Sequence, residues 1–524
     1  MFTLLLCSLL LLCACQDFPS LTPNLLARTI ETVEGGGLIV MLLKSMSSLR
    51  QLYTMSMDVH SRFRTESHQD VVGRFNERFL LSLASASNTI VVDDELNILP
   101  LSSSIRNIQK FSANLDEAGE VIKDPLEVEL AALKDSLRDT PPVGNLIEQT
   151  RTLDQAKAVL SFMESVSEKT LRSTVVLTAG RGRGKSAALG LSIAGAVAFG
   201  YSNIFLTAPS PENLKTLFEM VFKGFDAFGY KEHADYEVVQ SLNPEFNHAI
   251  VRVNVFHTHR QTIQYIAPGD YAKLGQAELL VIDEAAAIPL PIVKNLLGPY
   301  LVFMSSTING YEGTGRSLSL KLVKQLRQQS TGAAAAGAAA AGAAASSSSS
   351  SAAASSASTG RALREVTLDE PIRYARNDPI ERWLNDLLCL DCTASVPRLL
   401  GAALPHPNSC ELYYVERDTL FSSHKASENF LQRMMSLYVS SHYKNSPNDL
   451  QLMSDAPAHH LFVLLGPVTS TNAMPDILAV IQVCLEGSIS RESVLKSLSR
   501  GERASGDLIP WFAHNNARCG LAEN

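Results

Sequence analysis

The sequence has few cysteines and no excess of positive charge, and each deficit excludes a class of protein. Its 524 residues include eight cysteines. So sparse a set does not read as a disulfide framework, and we expect a reducing compartment. The formal net charge is −8. A nucleic-acid partner would therefore have to be held by local basic patches rather than by the field of the whole molecule.

Long apolar runs are also scarce. Residues 1–15 form an apolar run that resembles part of a secretory signal, but no Lys or Arg precedes it and it is too short to span a bilayer comfortably. We expect a buried strand or a misassigned first exon there. No other stretch reaches transmembrane length without charge, so we predict no membrane association.

A phosphate-binding loop is the strongest pattern in the chain. Residues 175–186 read Val-Val-Leu-Thr-Ala-Gly-Arg-Gly-Arg-Gly-Lys-Ser, an apolar strand pattern that turns through glycines and continues into an apolar helical pattern. This is the order that such a loop requires. Gly182 and Gly184 would let main-chain N–H groups approach a polyphosphate, Lys185 would reach its β and γ oxygens, and Ser186 would bind Mg²⁺.

A pair of acids about a hundred residues later supports this interpretation. Asp283 and Glu284 follow the apolar residues 279–282. Asp283 would complete the Mg²⁺ shell, and Glu284 would orient or deprotonate the attacking water. Either pattern alone is weak, because Ala179 stands where the strict loop has Gly and an acid after a strand is often a helix cap. Together, in this order, they predict an ATP site with Mg²⁺.

The alternation of strand and helix patterns predicts the fold class. Residues 145–400 read as an α/β, parallel-sheet P-loop (RecA-like) ATPase domain, with ligand at the carboxyl ends of its strands. Residues 331–360 contain only Ala, Gly, Ser and Thr, which predicts a low-complexity insertion. Residues 16–120 predict a preceding α/β domain. Residues 405–511 have two adjacent strands without a helix between them, which indicates a partial α+β domain.

Three weaker patterns belong to the same ATPase block. Ser305, Ser306 and Thr307 end a strand, where a hydroxyl group can sense the γ-phosphate, although a cap is the commoner role. Arg316, in a glycine-punctuated loop, is a candidate charge-stabilising finger. Arg373 is a candidate for reaching back to the nucleotide phosphates.

Other clusters have two readings each. One basic set is either a solvated helix face or an RNA-facing patch: Arg62, Arg64, Arg74 and Arg78. A second basic set favours a solvated face: Arg491, Lys496, Arg500 and Arg503. A third set has spacing close to a zinc pattern, although a structural role is favoured: Cys389, Cys392, His406 and Cys410.

Several motifs taken together resemble the eukaryotic RNA cytidine acetyltransferase family. The resemblance runs from about residue 16 to residue 511, without the insertion, and leaves 512–524 as an unrelated tail. The motifs that carry it are Thr-Pro-Asn-Leu-Leu-Ala-Arg-Thr at 22–29, Gly-Arg-Phe-Asn-Glu-Arg-Phe at 73–79, the loop at 182–186, Val-Ile-Asp-Glu-Ala-Ala-Ala-Ile-Pro at 281–289, Ser-Thr-Ile-Asn-Gly-Tyr-Glu-Gly-Thr-Gly-Arg at 306–316 and Ala-Ser-Gly-Asp-Leu-Ile-Pro-Trp at 504–511.

The resemblance implies an enzyme that transfers acetyl from acetyl-CoA to N4 of cytidine. Its implied substrates are 18S ribosomal RNA and some transfer RNAs, with ATP hydrolysis in a helicase-like module. It further implies pre-ribosomal and transfer-RNA adaptor partners, a possible homodimer and a nuclear, nucleolar location linked to small-subunit biogenesis. The family's nucleotide contacts fall on Arg181, Gly182, Arg183, Gly184, Lys185, Ser186 and Arg373, and Asp283 and Glu284 serve Mg²⁺ and water.

Two departures from the family pattern leave alternatives open. The family begins upstream of residue 16, and its acetyltransferase domain, of GNAT type, stops here after residue 511. We find no Q/R-x-x-G-x-G/A turn for the acetyl-CoA pyrophosphate after residue 400; residues 503–508 and 518–522 come nearest to it. The chain is therefore an RNA cytidine acetyltransferase, a stand-alone RNA-dependent ATPase, or a non-catalytic factor that binds pre-ribosomal RNA or transfer-RNA adaptors.

Overall fold

The computed structural model describes a large part of the chain, in two compact units. The described residues are 10–43, 51, 55–86, 88–99, 124–169, 172–308, 327, 362–392, 405–441, 445–467, 474–487, 490, 492, 496, 499 and 500. The first unit comprises residues 1–111 and 377–524, and the second comprises residues 112–376. No helix in these described ranges is both long and apolar enough for a membrane span.

The helices and strands are named in chain order. The strands are β1 (Leu10–Cys15), β2 (Val33–Met41), β3 (Ser173–Ala179), β4 (Asn203–Thr207), β5 (Tyr236–Gln240), β6 (Ile250–Val255), β7 (Gln261–Tyr265), β8 (Leu279–Ile282), β9 (Leu301–Thr307), β10 (Ala362–Leu368), β11 (Glu411–Tyr414), β12 (His459–Leu465) and β13 (Ile477–Cys484). The helices are α1 (Pro23–Ile30), α2 (His60–Phe63), α3 (Arg74–Leu83), α4 (Pro125–Leu137), α5 (Val143–Glu148), α6 (Leu153–Ser167), α7 (Lys185–Ala198), α8 (Lys215–Phe228), α9 (Leu290–Leu296), α10 (Pro379–Leu388), α11 (Arg417–Leu420), α12 (Lys425–Ser441) and α13 (Pro447–Asp455).

The second unit is built on an eight-stranded sheet. Its strand order is β10-β3-β9-β8-β4-β7-β6-β5. The five pairings from β10 to β7 are parallel, and β6 and β5 add an antiparallel edge. This arrangement confirms the predicted mostly parallel sheet of an α/β fold.

Both faces of this sheet are buried, which explains why its strands read as continuous apolar runs. On β3, Val175 and Leu177 belong to the core that contains residues of α6, α7 and α8. Val176, between them, belongs to a second core that includes Val293 of α9. Since neighbouring residues of a strand face opposite sides, a strand covered on both faces needs apolar residues at every position.

The first unit contains two smaller sheets. Strands β1 and β2 form a parallel pair. Strands β11, β12 and β13 form a three-stranded antiparallel sheet, in the region where the sequence predicts a partial α+β domain. Helix α10 also belongs to this unit. The reason is its apolar face: Trp383 packs edge-on against Phe79 of α3, 6.2 Å between ring centroids, and donates to Ser82 Oγ at 3.0 Å.

Two of the four clustered arginines are structural, contrary to both predicted readings. Arg78 is 2% exposed; it donates from Nε to Leu387 O at 3.1 Å and from Nη2 to Asp386 O at 2.8 Å, and it pairs with Glu428. Arg74 pairs with Asp418 and donates to the main-chain oxygen of Ser454. Arg62 and Arg64 are exposed, so for them both readings stay open.

The cysteines with zinc-like spacing do not share one environment. Cys389 and Cys392 are buried, whereas His406 is exposed and its Nδ1 accepts the N–H of Asn408. Burial raises the pKa of the Cys389 thiol to about 12. Within the described ranges, no three His, Cys, Asp or Glu side chains are grouped so that they could hold a metal ion.

Candidate nucleotide site

The predicted phosphate loop connects β3 to α7, at the carboxyl edge of the sheet. Gly182 and Gly184 have φ angles of +74° and +84°, in the left-handed region that favours glycine. A Cβ atom on Gly184 would lie 2.6 Å from Ile372 Cδ1, and one on Gly182 would lie 3.1 Å from Arg373 Cδ. Glycine is therefore required here by backbone angle and by space, which accounts for the spacing seen in the sequence.

Lys185 and Ser186, the two residues after Gly184, contact different partners: Lys185 contacts the loop and Ser186 contacts Asp283. Lys185 begins α7, and its Nζ donates to Gly180 O at 3.1 Å. The Oγ of Ser186 donates to Asp283 Oδ2 at 2.9 Å, although the two residues are 97 positions apart in the chain. Asp283 is only 1% exposed. The structure thus brings together the lysine, the hydroxyl and the carboxylate that the sequence singled out.

Asp283 is held in place by the neighbouring strand. The hydroxyl of Ser305, on β9, donates to Asp283 Oδ1, and the N–H of Glu284 lies 3.1 Å from Asp283 Oδ1 and 3.2 Å from Ser305 Oγ. Glu284 has φ +50°, an uncommon angle for a residue with a side chain. These hydrogen bonds fix the turn after β8, and the hydroxyl of Ser305 orients the carboxylate of Asp283.

Positive charge converges on the loop. The pKa of Lys185 is lowered to about 8, chiefly because the ammonium group is buried, while the charges of Asp283 and Glu284 oppose this shift and those of Arg181 and Arg373 add to it. Cations that approach one another in this way are stabilised by a bound polyanion. The loop arginine Arg183 donates to Arg181 O at 3.3 Å.

The segment that carries Arg373 contacts the loop directly. Ile372 N donates to Gly182 O at 3.1 Å, so the main chains of the two segments are hydrogen-bonded. This contact accounts for the closeness of Arg373 to Gly182; the reach of Arg373 toward the phosphates stays a prediction. Arg316, the other predicted arginine, and the insertion at 331–360 lie outside the described residues.

Sequence reasoning missed Gln155, in the first turn of α6. Gln155 is 2% exposed; its Nε2 donates to Gly184 O at 3.3 Å, and its Oε1 accepts the N–H of Arg151 at 2.9 Å. Gln155 therefore holds the main chain of the loop at Gly184. The available signal was a glutamine three residues after the cap Thr152, whose side-chain oxygen accepts the N–H of Gln155.

The residues present fit a magnesium-bound triphosphate. The Ser186 hydroxyl and the Asp283 carboxylate are hard oxygen ligands 2.9 Å apart, of the kind that Mg²⁺ prefers. Left-handed glycines followed by a helix start form the backbone arrangement whose N–H groups bind phosphate. Residues 503–508 and 518–522, which come nearest to an acetyl-CoA turn in the sequence, lie outside the described residues.

Three regions of the chain match known protein families. Residues 8–94 match the N-terminal region of tRNA(Met) cytidine acetyltransferase TmcA. Residues 176–391 match the helicase domain of RNA cytidine acetyltransferase NAT10/TcmA. Residues 433–517 match the family GNAT acetyltransferase 2.

Among solved structures, the large terminase of a thermophilic bacteriophage is similar, with a TM-score of 0.30 and 8% identity over 68% of this chain and 71% of that chain. The RNA cytidine acetyltransferases of Mus musculus and Homo sapiens are 68% and 67% identical to this chain over 501 residues. These alignments cover 95% of this chain and 48% of each relative, so the chain spans about half the length of the curated relatives it matches. The chain thus carries matches to an N-terminal, a helicase and an acetyltransferase region in that order, and it is similar to RNA cytidine acetyltransferases over 95% of its own length.

Proposed function

We propose that this protein takes part in ATP-dependent acetylation of N4 of cytidine in RNA, with acetyl-CoA as the acetyl donor. The observation that carries the proposal is the convergence of Lys185, Ser186 and Asp283 at one sheet edge, in a chain whose relatives are named for this activity. The proposed RNA substrates are 18S ribosomal RNA and transfer RNA. The proposed setting is the nucleolus, in small-subunit biogenesis, with transfer-RNA adaptor proteins as partners.

The ATPase step can be assigned to residues of this chain. The loop N–H groups, Lys185 and Arg373 would hold the phosphates, while Ser186 and Asp283 would hold Mg²⁺. When bound, Mg²⁺ neutralises charge that develops on the phosphate oxygens. Glu284 would orient the attacking water or accept its proton.

A second candidate function is RNA-dependent ATP hydrolysis without acetyl transfer. It is supported by the fact that the residues of the candidate nucleotide site all lie within residues 112–376, whereas no turn for acetyl-CoA is recognised in the sequence after residue 400. Both functions require the same nucleotide site and differ in whether acetyl is transferred. One experiment that measures both products therefore separates them.

That experiment supplies the protein with ATP, Mg²⁺, acetyl-CoA and either an 18S ribosomal RNA fragment or transfer RNA. The RNA is then digested to nucleosides, N4-acetylcytidine is measured by mass spectrometry, and phosphate release is measured in parallel. ATP-dependent N4-acetylcytidine supports the first function. RNA-stimulated phosphate release without N4-acetylcytidine supports the second, and the absence of both products contradicts both.

A further inference from the structure

Asp154, in the first turn of α6, accepts more hydrogen bonds than a helix cap needs. Its Oδ1 accepts the hydroxyl of Thr152 and the N–H of Gln155, both at 2.7 Å. Its Oδ2 accepts the N–H groups of Asp369 and Glu370 at 2.7 and 2.8 Å. Two of the four donors therefore come from a segment more than 200 residues further along the chain.

That distant segment is the one that carries Arg373, and we call residues 369–376 the arginine segment. It follows β10, the strand beside β3, and Asp154 holds its first two N–H groups. Further along, Ile372 N is bonded to Gly182 O at 3.1 Å. The arginine segment is thus fixed at its start by Asp154 and in its middle by the phosphate loop.

The start of α6 contacts the other side of the site as well. Gln155, the residue after Asp154, donates to Gly184 O at 3.3 Å. Two consecutive side chains of one helical turn therefore contact the arginine segment and the phosphate loop. The first turn of α6 therefore links these two parts of the site, in addition to the direct bond between Ile372 and Gly182.

We infer that Asp154 is a positioning residue for nucleotide binding, which acts by holding Arg373 at the correct place beside the phosphate loop. The inference rests on the proposed nucleotide site. Asp154 need not touch the nucleotide. Its carboxylate fixes the main chain at Asp369 and Glu370, and the main chain in turn fixes where the guanidinium of Arg373 can reach.

The chemistry of the contacts requires a carboxylate rather than an amide. All four groups that face Asp154 are donors, and a carboxylate offers two oxygens with acceptor sites for all of them. An asparagine has one oxygen in place of two and no charge, so it can serve only one pair of these donors, and with weaker hydrogen bonds. The charge of Asp154 also acts on Glu370: burial and this negative charge both raise the pKa of the Glu370 carboxyl. The guanidinium of Arg376 lowers it again. Its Nη2 lies 3.4 Å from Glu370 Oε2, and its Nη1 lies 3.0 Å from Asp124 Oδ2.

Nucleotide-free protein gives the first test. Hydrogen exchange is measured at the amides of Asp369 and Glu370 in the unchanged chain, in Asp154→Asn and in the control Asp135→Asn, which changes an exposed aspartate of the same unit. We expect faster exchange at both amides in Asp154→Asn alone. Unchanged exchange would show that Asp154 does not fix the segment, and the inference would fail.

Binding of Mg²⁺–ADP by calorimetry gives the second test, in a cycle of Asp154→Asn, Arg373→Ala and the double variant. We expect Asp154→Asn to weaken binding about tenfold and to have no further effect once Arg373 is removed. Independent losses that multiply in the double variant would overturn the inference. If Asp154→Asn does not fold, Asp154→Glu, which keeps the charge, is used in the same cycle. Failure of the unchanged chain to bind Mg²⁺–ADP would instead overturn the proposed nucleotide site.

Discussion

The two units use arginine in opposite ways. In the first unit, Arg78 is buried and its donors are taken up by the main-chain oxygens of Leu387 and Asp386 and by Glu428. In the second unit, Arg181 and Arg373 lie close enough to Lys185 to lower its pKa, in addition to the larger effect of burial. A guanidinium surrounded by the protein's own acceptors stabilises packing. Cations that lie close together despite their repulsion, beside oxygen groups of the kind that bind Mg²⁺, indicate a site for an anion.

The largest expected effect tests the structural half of this comparison. Arg78→Leu leaves Glu428 and two main-chain oxygens without their cation, so we expect the free energy of unfolding of the first unit to fall by about 3–5 kcal/mol. Chemical denaturation measures this loss. The control Arg62→Leu removes an exposed arginine and should change stability by less than about 0.5 kcal/mol. Equal losses in the two variants would contradict a structural role for Arg78.

The functional half is tested by removing the ammonium group of the loop. Lys185→Ala should lower the rate of ATP hydrolysis by about 10²–10³-fold, because a charge directed at the transferred phosphate is lost. Lys215→Ala, which removes an exposed lysine at the start of α8, serves as the control and should leave the rate unchanged. Steady-state phosphate release measures both. Undiminished turnover in Lys185→Ala would rule out this nucleotide site.

The backbone of the loop offers a smaller test. Gly184→Ala adds a methyl group at φ +84°, 2.6 Å from Ile372 Cδ1. We expect about 1–2 kcal/mol of strain, seen as weaker Mg²⁺–ADP binding in calorimetry. Gly275→Ala is the matched control, since nothing lies within 4 Å of the position that its added methyl group would take. Equal affinity in the two variants would mean that the loop does not depend on a left-handed residue at position 184.

The smallest effect concerns cysteine chemistry in the first unit. With the Cys389 pKa raised to about 12, only about one thiol in ten thousand is ionised at pH 8, so iodoacetamide should spare Cys389 in the folded protein. Exposed Cys484 should be labelled first, as peptide mass spectrometry would show. Rapid labelling of Cys389 would indicate that it is neither buried nor structural.

The same shift has a consequence for stability. The folded protein keeps the Cys389 thiol protonated, whereas an unfolded thiol ionises near the ordinary value of 9.0. The contribution of this group to stability is therefore complete below pH 9 and is lost as the pH rises from 9 toward 12.

Local patterns predicted much of the second unit, and distant contacts decided the rest. The sequence alone predicts Gly182 and Gly184, because the left-handed backbone angles of the loop favour glycine. It also predicts Asp283 and Glu284, because they directly follow a buried strand. Gln155 and Asp154 were missed because their partners, main-chain groups of Gly184, Asp369 and Glu370, have no signature in the sequence. Arg78 was misread for the same reason, since its acceptors lie about 310 residues away.

One measurement tests the central claim most directly: calorimetric titration of the protein with a non-hydrolysable ATP analogue, with and without Mg²⁺. In the proposed site, Ser186 and Asp283, which are hydrogen-bonded to each other, would hold the metal, and Lys185 would hold the phosphates. We predict one bound analogue per chain, with an affinity that rises when Mg²⁺ is present and loses that rise in Ser186→Ala. Binding that is absent, or that is indifferent to Mg²⁺, would contradict this account of the site.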